Sequence, residues 1–419
     1  MPFALVSLYI VFVFIRPHEY IHFMKDIPIL PVILIIAALM VFMDRRNEVK
    51  IPQQILILLL PVMMFISNVF GGWPSKGIDV GLKFLPITLI YLLLIHSLTT
   101  IKRIKILMMI FIVSAAIISV HGIDMLQHDG FGWTGAYAYQ NRIRYPGIFN
   151  DPNDIGMFLV ISLPFVIFFY KNSSSFIPKI LYLTCMGILL YAVYLTNSRG
   201  SVLGILSMIG FYMKSRIGMV KSVILGLLAM PLAVIMPSRM SEVASSDASA
   251  MGRLDAWYSG FHLFFSNPLT GIGAYRFTDY NIITAHNSYV LVLAEMGFLG
   301  FFIWGMFLFM SFYMLYRIRI HINNNSEIFY NNNIYELLNT AFYYSFIGML
   351  FTIFFLSRSY TIILYIFIGL TNAYYIIFSN KYPELDNIIT KDIWSRSLKW
   401  TAASIVVLYF IVKLLLKVM

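Results

Sequence analysis

Apolar runs long enough to cross a bilayer recur along the whole chain, with short polar stretches between them. An α-helix needs about 17 to 25 apolar residues to span the hydrocarbon core. The composition agrees, because 60% of the residues are hydrophobic and 12% are charged, against about 45–50% and 25% in a soluble domain. The alternation typical of barrel strands is absent from the sequence. We therefore predict an all-α polytopic membrane protein with about 12–13 transmembrane helices.

The candidate spans follow from these runs. They cover residues 2–15, 27–43, 51–70, 79–97, 104–122, 155–170, 177–196, 200–213, 221–236, 288–316, 337–356, 360–378 and 399–417. Met1 to Ile15 lacks the basic start and the cleavage site of a signal peptide, so we expect it to remain as the first span. The single cysteine, Cys185, excludes a disulfide framework and a thiolate metal cluster.

Lysine and arginine are unevenly divided between the two sets of alternate connections. By the positive-inside rule the richer set is cytoplasmic, and the N-terminus begins there. This orientation signal explains the net charge of +11 better than nucleic-acid binding does, because the basic residues are scattered over short loops. The richer set contains Arg45, Arg46, Lys50, Lys102, Arg103, Lys105, Lys171, Lys179, Lys214, Arg216, Lys221, Arg317, Arg319, Lys381, Lys391, Arg396 and Lys399.

Two outward connections are long and rich in Gly, Pro, Asn, aromatic and Arg residues. They run from Ile123 to Asp154 and from Pro237 to Asn287. Where the other loops are short, long structured loops usually carry function. We therefore predict a functional core at residues 123–316, between N-terminal membrane helices at 1–122 and C-terminal ones at 317–419.

The second long loop ends in a histidine at a membrane boundary. It opens with Pro237 to Met240, continues through Gly252 to Trp257 and Asn267 to Gly273, and ends at His286 and Asn287. In one interpretation the last two residues cap the helix that follows. In the other, the histidine, a side chain that titrates near neutrality, takes a proton from an attacking hydroxyl. The position of the histidine alone does not decide between the capping and the catalytic interpretation.

The first long loop carries two arginines close to a turn. The segment Asn150 to Asp154 is typical of a turn followed by a helix cap, which is sufficient to explain Asn153. Arg142 and Arg144 have no such explanation, because outward arginines oppose the orientation bias.

Arg199 lies in a very short outward turn, Thr196 to Gly200, and so lies close to the bilayer. An ionisable group at that depth is a functional candidate, with snorkelling to the interface as the alternative. Lys83, near the outward end of the fourth span, is a weaker case of the same kind.

Several cations are thus predicted on one side of the membrane, where they would suit a lipid diphosphate. Arginine binds phosphate bidentately, and such phosphates lie at headgroup depth. No Asp-x-Asp motif occurs in the outward loops, so we predict no metal and no cofactor, with arginines neutralising the charge instead. The cations are Lys83, Arg144, Arg199, Arg253, Arg276 and His286.

Five short motifs occur in a fixed order between Arg144 and Gly300. They read Phe149 to Asn153, Ser198 to Gly200, Arg253 to Trp257, Asn267 to Gly273, and His286-Asn287 with Gly297 and Gly300. Together they resemble the O-antigen ligase and O-antigen polymerase superfamily of bacterial envelope glycan enzymes. The opening Arg16 to Glu19 also resembles members encoded with exopolysaccharide genes.

The resemblance implies a GT-C-like glycosyltransferase of the bacterial inner membrane, with its active site at the periplasmic face. It implies metal-independent, inverting transfer of an undecaprenyl-diphosphate-linked glycan to a hydroxyl of lipid A-core, of a glycan or of a protein. Carried over by motif, His286 is the general base or orients the acceptor, and Arg199 and Arg253 bind the diphosphate.

Further residues join this expected site. Asp255 and Glu295 are expected to orient Arg253 and His286. The expected substrate-binding residues are Lys83, Arg144, Asn153, Arg276 and Asn287.

Other functions fit parts of the same pattern. A ligase, a polymerase and a protein O-oligosaccharyltransferase share the five motifs, so the choice between them stays open. A transporter or flippase also needs many spans, but it would place several charges near the bilayer midplane. This chain concentrates its charges in outward loops. A non-enzymatic scaffold gives no reason for arginines at the outward boundary.

Overall fold

The computed structural model describes residues 2–25, 27–43, 51–138, 140–222, 243–325, 327, 329 and 333–418. The described part of the chain is helical, and its only bridge of β type joins Phe131 and Tyr137. The first nine helices are α1 Pro2–Ile15, α2 Pro17–Tyr20, α3 Ile29–Met43, α4 Gln53–Phe70, α5 Pro74–Ser97, α6 Ile101–Gln127, α7 Pro152–Asn172, α8 Phe176–Thr196 and α9 Arg199–Ile217. The rest are α10 Val243–Ser266, α11 Phe277–Tyr280, α12 Ser288–Asn324, α13 Asn333–Phe354, α14 Ile362–Lys381 and α15 Pro383–Val418.

The helices confirm the predicted all-α membrane architecture. Within the described residues, nine are long and apolar enough to cross a membrane, namely α4 to α8 and α12 to α15, while α1 and α3 are apolar but shorter. Every predicted span coincides with a helix except 221–236, which lies outside the described residues apart from its first two positions. Arg45, Arg46, Lys50 and the segment Pro237 to Met240 also lie outside them.

Helix α3 shows why these helices suit lipid rather than water. Ile35, Leu39 and Phe42 lie at helical spacing on one face, and they are 59%, 59% and 83% exposed. Ile33 and Ala37 are buried on another face. A helix that is apolar all round is expected where its outer face meets hydrocarbon.

The chain forms two compact units. The first contains residues 1–45, 97–238 and 318–352, and the second contains 46–96, 239–317 and 353–419. The three-part division predicted from the sequence is not tested by these units and stays a prediction.

The first unit is built around α7, which is buried along most of its length. Phe14, Phe111 and Phe158 form an aromatic cluster beside it, with ring centroids 4.7 to 5.4 Å apart. Aromatic edges and faces at these distances stabilise a core beyond simple burial. Gly156 has no room for a side chain, because a Cβ atom there would overlap Ser201. This small residue lets α7 and α9 approach closely.

The second unit is built around α14, which is buried over nearly its whole length. Its Asn372 amide donates to the Tyr91 hydroxyl at 2.8 Å and to the Ser311 hydroxyl at 3.1 Å. Hydrogen bonds between side chains on different helices contribute to helix association in membranes. Asn372 thereby joins α14 to α5 and α12.

Candidate functional site

Helix α12 is broken at Gly297, which has φ 62° and ψ −163°. Backbone groups of the turn Asn267 to Gly273 form hydrogen bonds with the residues on both sides of the break. Because apolar lipid offers no hydrogen bonds, an interrupted helix in a membrane needs such protein partners. The four bonds are Ile272 N–H to Ala294 C=O (3.1 Å), Gly273 N–H to Glu295 C=O (2.9 Å), Phe298 N–H to Pro268 C=O (2.8 Å) and Leu299 N–H to Leu269 C=O (3.1 Å).

Steric crowding explains why glycine occurs in this turn and at the break. A Cβ atom at Gly271 would overlap the backbone of Glu295, and one at Gly297 would lie 2.5 Å from the Gly271 nitrogen. Both residues also have positive φ, a region that favours glycine. The glycines therefore bring two backbones together, and they fix where the second long loop meets α12.

The first turn of α12 is capped by Asn287, as the structural interpretation of the sequence predicted. Its side-chain oxygen accepts from the N–H groups of Tyr289 at 2.9 Å and Val290 at 3.1 Å. Its amide nitrogen is buried and has no hydrogen-bond partner among the described residues. His286, half-buried and with φ 48°, lies immediately before the cap and outside the helix.

The loop before α14 fixes this end of α12 from another direction. The Ser288 hydroxyl donates to the Leu356 carbonyl at 2.6 Å and accepts from the Arg358 N–H at 2.8 Å. Ser359 donates to the Ser288 carbonyl at 3.0 Å. These bonds bring Arg358 next to the start of α12. Sequence reasoning did not include Arg358 in the site; the signal that could have found it is an arginine directly before a predicted span.

Helix α10, which carries Arg253, packs against the N-terminal end of α12. A Cβ atom at Gly252 would lie 3.6 Å from Cδ1 of Ile283, three residues before His286. Gly260 lies so close to Val290 that a Cβ atom on Gly260 would overlap the Val290 side chain. Since residues four and seven apart share a helix face, Arg253 is on the face that carries Trp257 and Gly260.

The aromatic contacts of α10 agree with this placement. The Trp257 ring lies 5.5 Å from that of Phe354, which in turn lies 6.2 Å from Tyr289. Arg253 is half-buried, whereas Asp255 is exposed. The apolar and aromatic segment Trp257 to Phe265 is part of α10.

Arg276 is buried and directs its donors at groups of the protein. It donates to the Asp279 carboxylate at 2.9 Å and to the Gly71 and Ile272 carbonyls at 2.8 and 3.2 Å. Its guanidinium also lies 5.0 Å from the Trp73 ring centroid. The hydrogen bond from this guanidinium lowers the pKa of Asp279 below its ordinary value. These contacts give Arg276 a structural role, and phosphate binding by it stays a prediction.

Glu295 is 2% exposed and bonds to a loop rather than along its own helix. Its Oε1 accepts from the Phe277 N–H at 3.0 Å, at the start of α11. Nine residues separate it from His286, which corresponds to about 13 Å along a helix axis. The expected pairing with His286 stays a prediction, and the hydrogen-bond partners of the carboxylate include the Phe277 N–H and the Tyr360 hydroxyl.

In the first unit, Arg142 joins two of the sequence motifs. Its Nε donates to the Thr196 carbonyl at 2.7 Å, and its Nη2 donates to Oδ1 of Asn153 at 3.0 Å. An arginine at the last carbonyls of a helix is favoured by the helix dipole. It thereby holds the turn after α8, which carries Arg199, against the turn before α7. The sequence singled out Arg142 without giving it a partner.

The remaining candidates are Arg144, which is half-buried, and Arg199 and Lys83, which are exposed. Arg144 donates to the Asn150 carbonyl and lies over the Tyr137 ring at 5.4 Å. Arg199 is exposed at the first position of α9, directly after the Ser198 cap. Lys83 is exposed and lies nine residues into α5, because that helix begins at Pro74 rather than near residue 79.

The structure therefore groups the predicted residues in two sets. The second unit holds Arg253, His286 and Asn287 around the start of α12, with Arg276 and Glu295 at the neighbouring turn. Asp255 and Lys83 belong to this unit as well. The first unit holds Arg144, Asn153 and Arg199. Convergence of the two sets stays a prediction.

The sequence of this region matches a known family. Residues 183–305 fit the family model described as O-Antigen ligase. The predicted resemblance to the O-antigen ligase and polymerase superfamily is confirmed. The matched region contains Arg199, Arg253 and His286.

A relative is the teichuronic acid biosynthesis protein TuaE of Bacillus subtilis (strain 168), which is 25% identical over 277 residues. The match covers 58% of this chain and 57% of the relative, so it spans little more than half the length of either protein. Together the two matches agree with the resemblance predicted from the sequence motifs.

Proposed function

We propose that the protein transfers an undecaprenyl-diphosphate-linked glycan to a hydroxyl acceptor, as an O-antigen ligase-type glycosyltransferase. The reaction takes place at the periplasmic face of the bacterial inner membrane, with inversion at the anomeric carbon and without a metal. The observation that carries the proposal is the match of residues 183–305 to the O-antigen ligase family, because this region contains both proposed diphosphate ligands and the proposed base.

His286 acts as the base. The acceptor hydroxyl attacks the anomeric carbon from the face opposite the diphosphate, and a new carbon–oxygen bond forms as its proton passes to His286. The bond between the anomeric carbon and the diphosphate oxygen breaks, and its electron pair leaves with the lipid diphosphate. The position of His286 supports this role, since the residue lies outside the helix and half-buried while Asn287 does the capping.

Arg199 and Arg253 stabilise the departing diphosphate, whose charge grows in the transition state. A local argument supports Arg199. A cation at a helix N-terminus is disfavoured by the helix dipole, and Arg199 is the first residue of α9. A bound anion at that position is attracted by both the dipole and the guanidinium. Arg199 therefore destabilises the start of α9 when no anion is bound there. The diphosphate of the donor supplies the anion that pairs with it.

A transfer assay with purified protein, lipid-linked donor and acceptor tests the proposal. We expect Arg199→Ala and Arg253→Ala each to lose on the order of 10² to 10³ in rate, and His286→Ala on the order of 10² to 10⁴. Arg216→Ala is the matched control, because this arginine is exposed at the other end of α9 and should leave the rate unchanged. Transfer at the wild-type rate by His286→Ala and Arg253→Ala would refute the assignment.

The acceptor can be a finished lipid A-core, a growing glycan or a protein. Deletion followed by glycan profiling distinguishes them. Core without attached polymer indicates a ligase, single-repeat products indicate a polymerase, and loss of glycan from proteins indicates an O-oligosaccharyltransferase.

A further inference from the structure

An apolar cavity lies within the first unit, between α7, α8, α9 and α13. Its volume is about 390 Å³, which is within the range of ligand-binding pockets. On α7 it is lined from Leu163 to Lys171, a distance of about 12 Å along the helix axis. The cavity is therefore elongated along the helices. Its wall includes the apolar residues Pro164, Phe168, Met186, Ile205, Met208 and Leu337.

The side of this cavity is open at the surface of the unit. Ile167, Leu190 and Ile209 line it and are 41%, 42% and 49% exposed. Since α7 and α8 are long and apolar enough to cross a membrane, the opening faces lipid chains. Apolar cavities stay dry, and an empty cavity costs stability in proportion to its volume. A lipid chain is the apolar molecule that a membrane supplies to fill it.

One end of the cavity carries cations. Lys171 lines it and is exposed. Tyr212 and Tyr344 also line it, with ring centroids 5.9 Å apart. The Arg216 guanidinium lies 5.7 Å from the Tyr212 ring centroid, and Arg319 donates to the Tyr344 hydroxyl at 3.2 Å. These contacts hold two arginines beside the cavity, and we call Lys171, Arg216 and Arg319 the basic rim.

The charge of the basic rim selects a headgroup. Glu336, directly before the lining residue Leu337, is the acidic residue nearest to the lining in the sequence. Three cations leave a net positive charge even when this carboxylate is counted. Lysine and arginine donate to phosphate oxygens, and basic pockets between membrane helices bind anionic lipid headgroups. An apolar chain joined to an anionic phosphate thus matches both parts of the cavity.

The basic rim lies far from the proposed donor site. Lys171 is close to the C-terminal end of α7, whereas Asn153 is at its start. The 18 residues between these positions correspond to about 27 Å along the helix axis, close to the thickness of the hydrocarbon core. The rim also belongs to the connections predicted to be cytoplasmic. The occupant of the cavity is therefore distinct from a donor whose diphosphate reacts at the outward face.

We propose that the apolar cavity binds one acyl chain of an anionic phospholipid, with the phosphate of that lipid at the basic rim. The chain fills the space between α7, α8, α9 and α13, so the lipid is a structural ligand of the first unit. The inference does not depend on the proposed function, because lipid binding is measured without transfer.

Native mass spectrometry of the purified full-length protein, titrated with defined ligands, tests the headgroup. The probes are dioleoyl-phosphatidylglycerol, which is anionic, dioleoyl-phosphatidylcholine, which is zwitterionic with the same chains, undecaprenyl phosphate and inorganic phosphate. Lys171→Ala removes one cation of the basic rim. Lys102→Ala is the matched control, because Lys102 is exposed at the start of α6 and belongs to the predicted cytoplasmic set, but does not line the cavity.

We expect the wild type to bind phosphatidylglycerol at least about tenfold more tightly than phosphatidylcholine, the scale of two or three basic residues near an anionic headgroup. Lys171→Ala should weaken phosphatidylglycerol binding about fivefold, and Lys102→Ala should leave it unchanged. Equal affinity of the wild type for the two phospholipids, or an equal loss in both lysine variants, would refute a headgroup site at the basic rim. Tighter binding of undecaprenyl phosphate than of phosphatidylglycerol would overturn the assignment to a phospholipid.

Two variants that fill the cavity test the position of the chain. Ile209→Trp closes the opening from α9, and Ala341→Phe fills the buried wall on α13. Leu183→Trp is the control for the first, since Leu183 on α8 is 54% exposed and outside the cavity. We expect both filling variants to bind phosphatidylglycerol at least about tenfold more weakly, because several CH₂ groups lose their burial. Leu183→Trp should bind it as the wild type does.

The melting temperature of each variant without added lipid checks that it folds. Where one filling variant does not fold, the other one and the lysine pair decide. Unchanged phosphatidylglycerol binding by a folded filling variant would show that the lipid binds elsewhere and would overturn the proposal. Displacement of phosphatidylglycerol by inorganic phosphate would also overturn it, because the cavity would then contribute nothing to binding.

Discussion

At the residue scale, several arginines that look equivalent in the sequence have different surroundings. Arg276 and Arg142 direct their donors at carbonyls and side chains of their own unit. Arg199, by contrast, is exposed at a helix start. The sequence could predict which residues are cationic and outward, but not these partners. Gly71, for example, lies 205 positions before Arg276, and only folding makes such a contact.

The Arg276–Asp279 pair gives a prediction about pH. Because Arg276 lowers the pKa of Asp279, the pair stabilises the fold above the unfolded pKa of about 3.9. That contribution is lost as pH falls through the lower, folded value. We expect Asp279→Asn to lower the melting temperature of the purified protein near neutral pH, and the difference from wild type to vanish in strong acid. A difference that is constant from neutral pH to about pH 3 would contradict this account.

At the element scale, hydropathy predicted the helices because the bilayer sets their length. It could not predict the break in α12. Residues 288–316 form one apolar run in the sequence, and the interruption at Gly297 is stabilised by backbone groups of Asn267 to Gly273. Both glycine-containing segments were identified as motifs, but nothing in their spacing indicates that they bond to each other.

The break in α12 is the subject of a second prediction. Alanine at Gly297 would adopt a strained backbone and place a Cβ atom 2.5 Å from the Gly271 nitrogen. Strain of this kind costs about 1–3 kcal/mol, and overpacking a similar amount. We expect Gly297→Ala to lower the melting temperature clearly and to reduce transfer. Gly210→Ala is the control, since a Cβ atom there meets nothing within 4 Å. Equal melting temperatures for the two variants would argue against the interlocked break.

At the scale of the whole molecule, the orientation in the membrane follows from charge bias alone and needs its own test. Ile282, in the loop before α12, is 99% exposed, and Lys214, near the end of α9, is exposed in the set predicted to be cytoplasmic. In a Cys185→Ala background, a membrane-impermeant thiol reagent should label Ile282→Cys in intact cells. Lys214→Cys should react only after permeabilisation. The reverse pattern would invert the predicted topology.

The central claim is that Arg199, Arg253 and His286 act on one lipid-linked diphosphate. The most direct test is a density map of the full-length protein in a lipid nanodisc with undecaprenyl diphosphate bound. We predict that the guanidinium groups of Arg199 and Arg253 contact the diphosphate oxygens, and that His286 faces the position of the anomeric carbon. Diphosphate bound away from both arginines, or His286 directed away from it, would contradict the account.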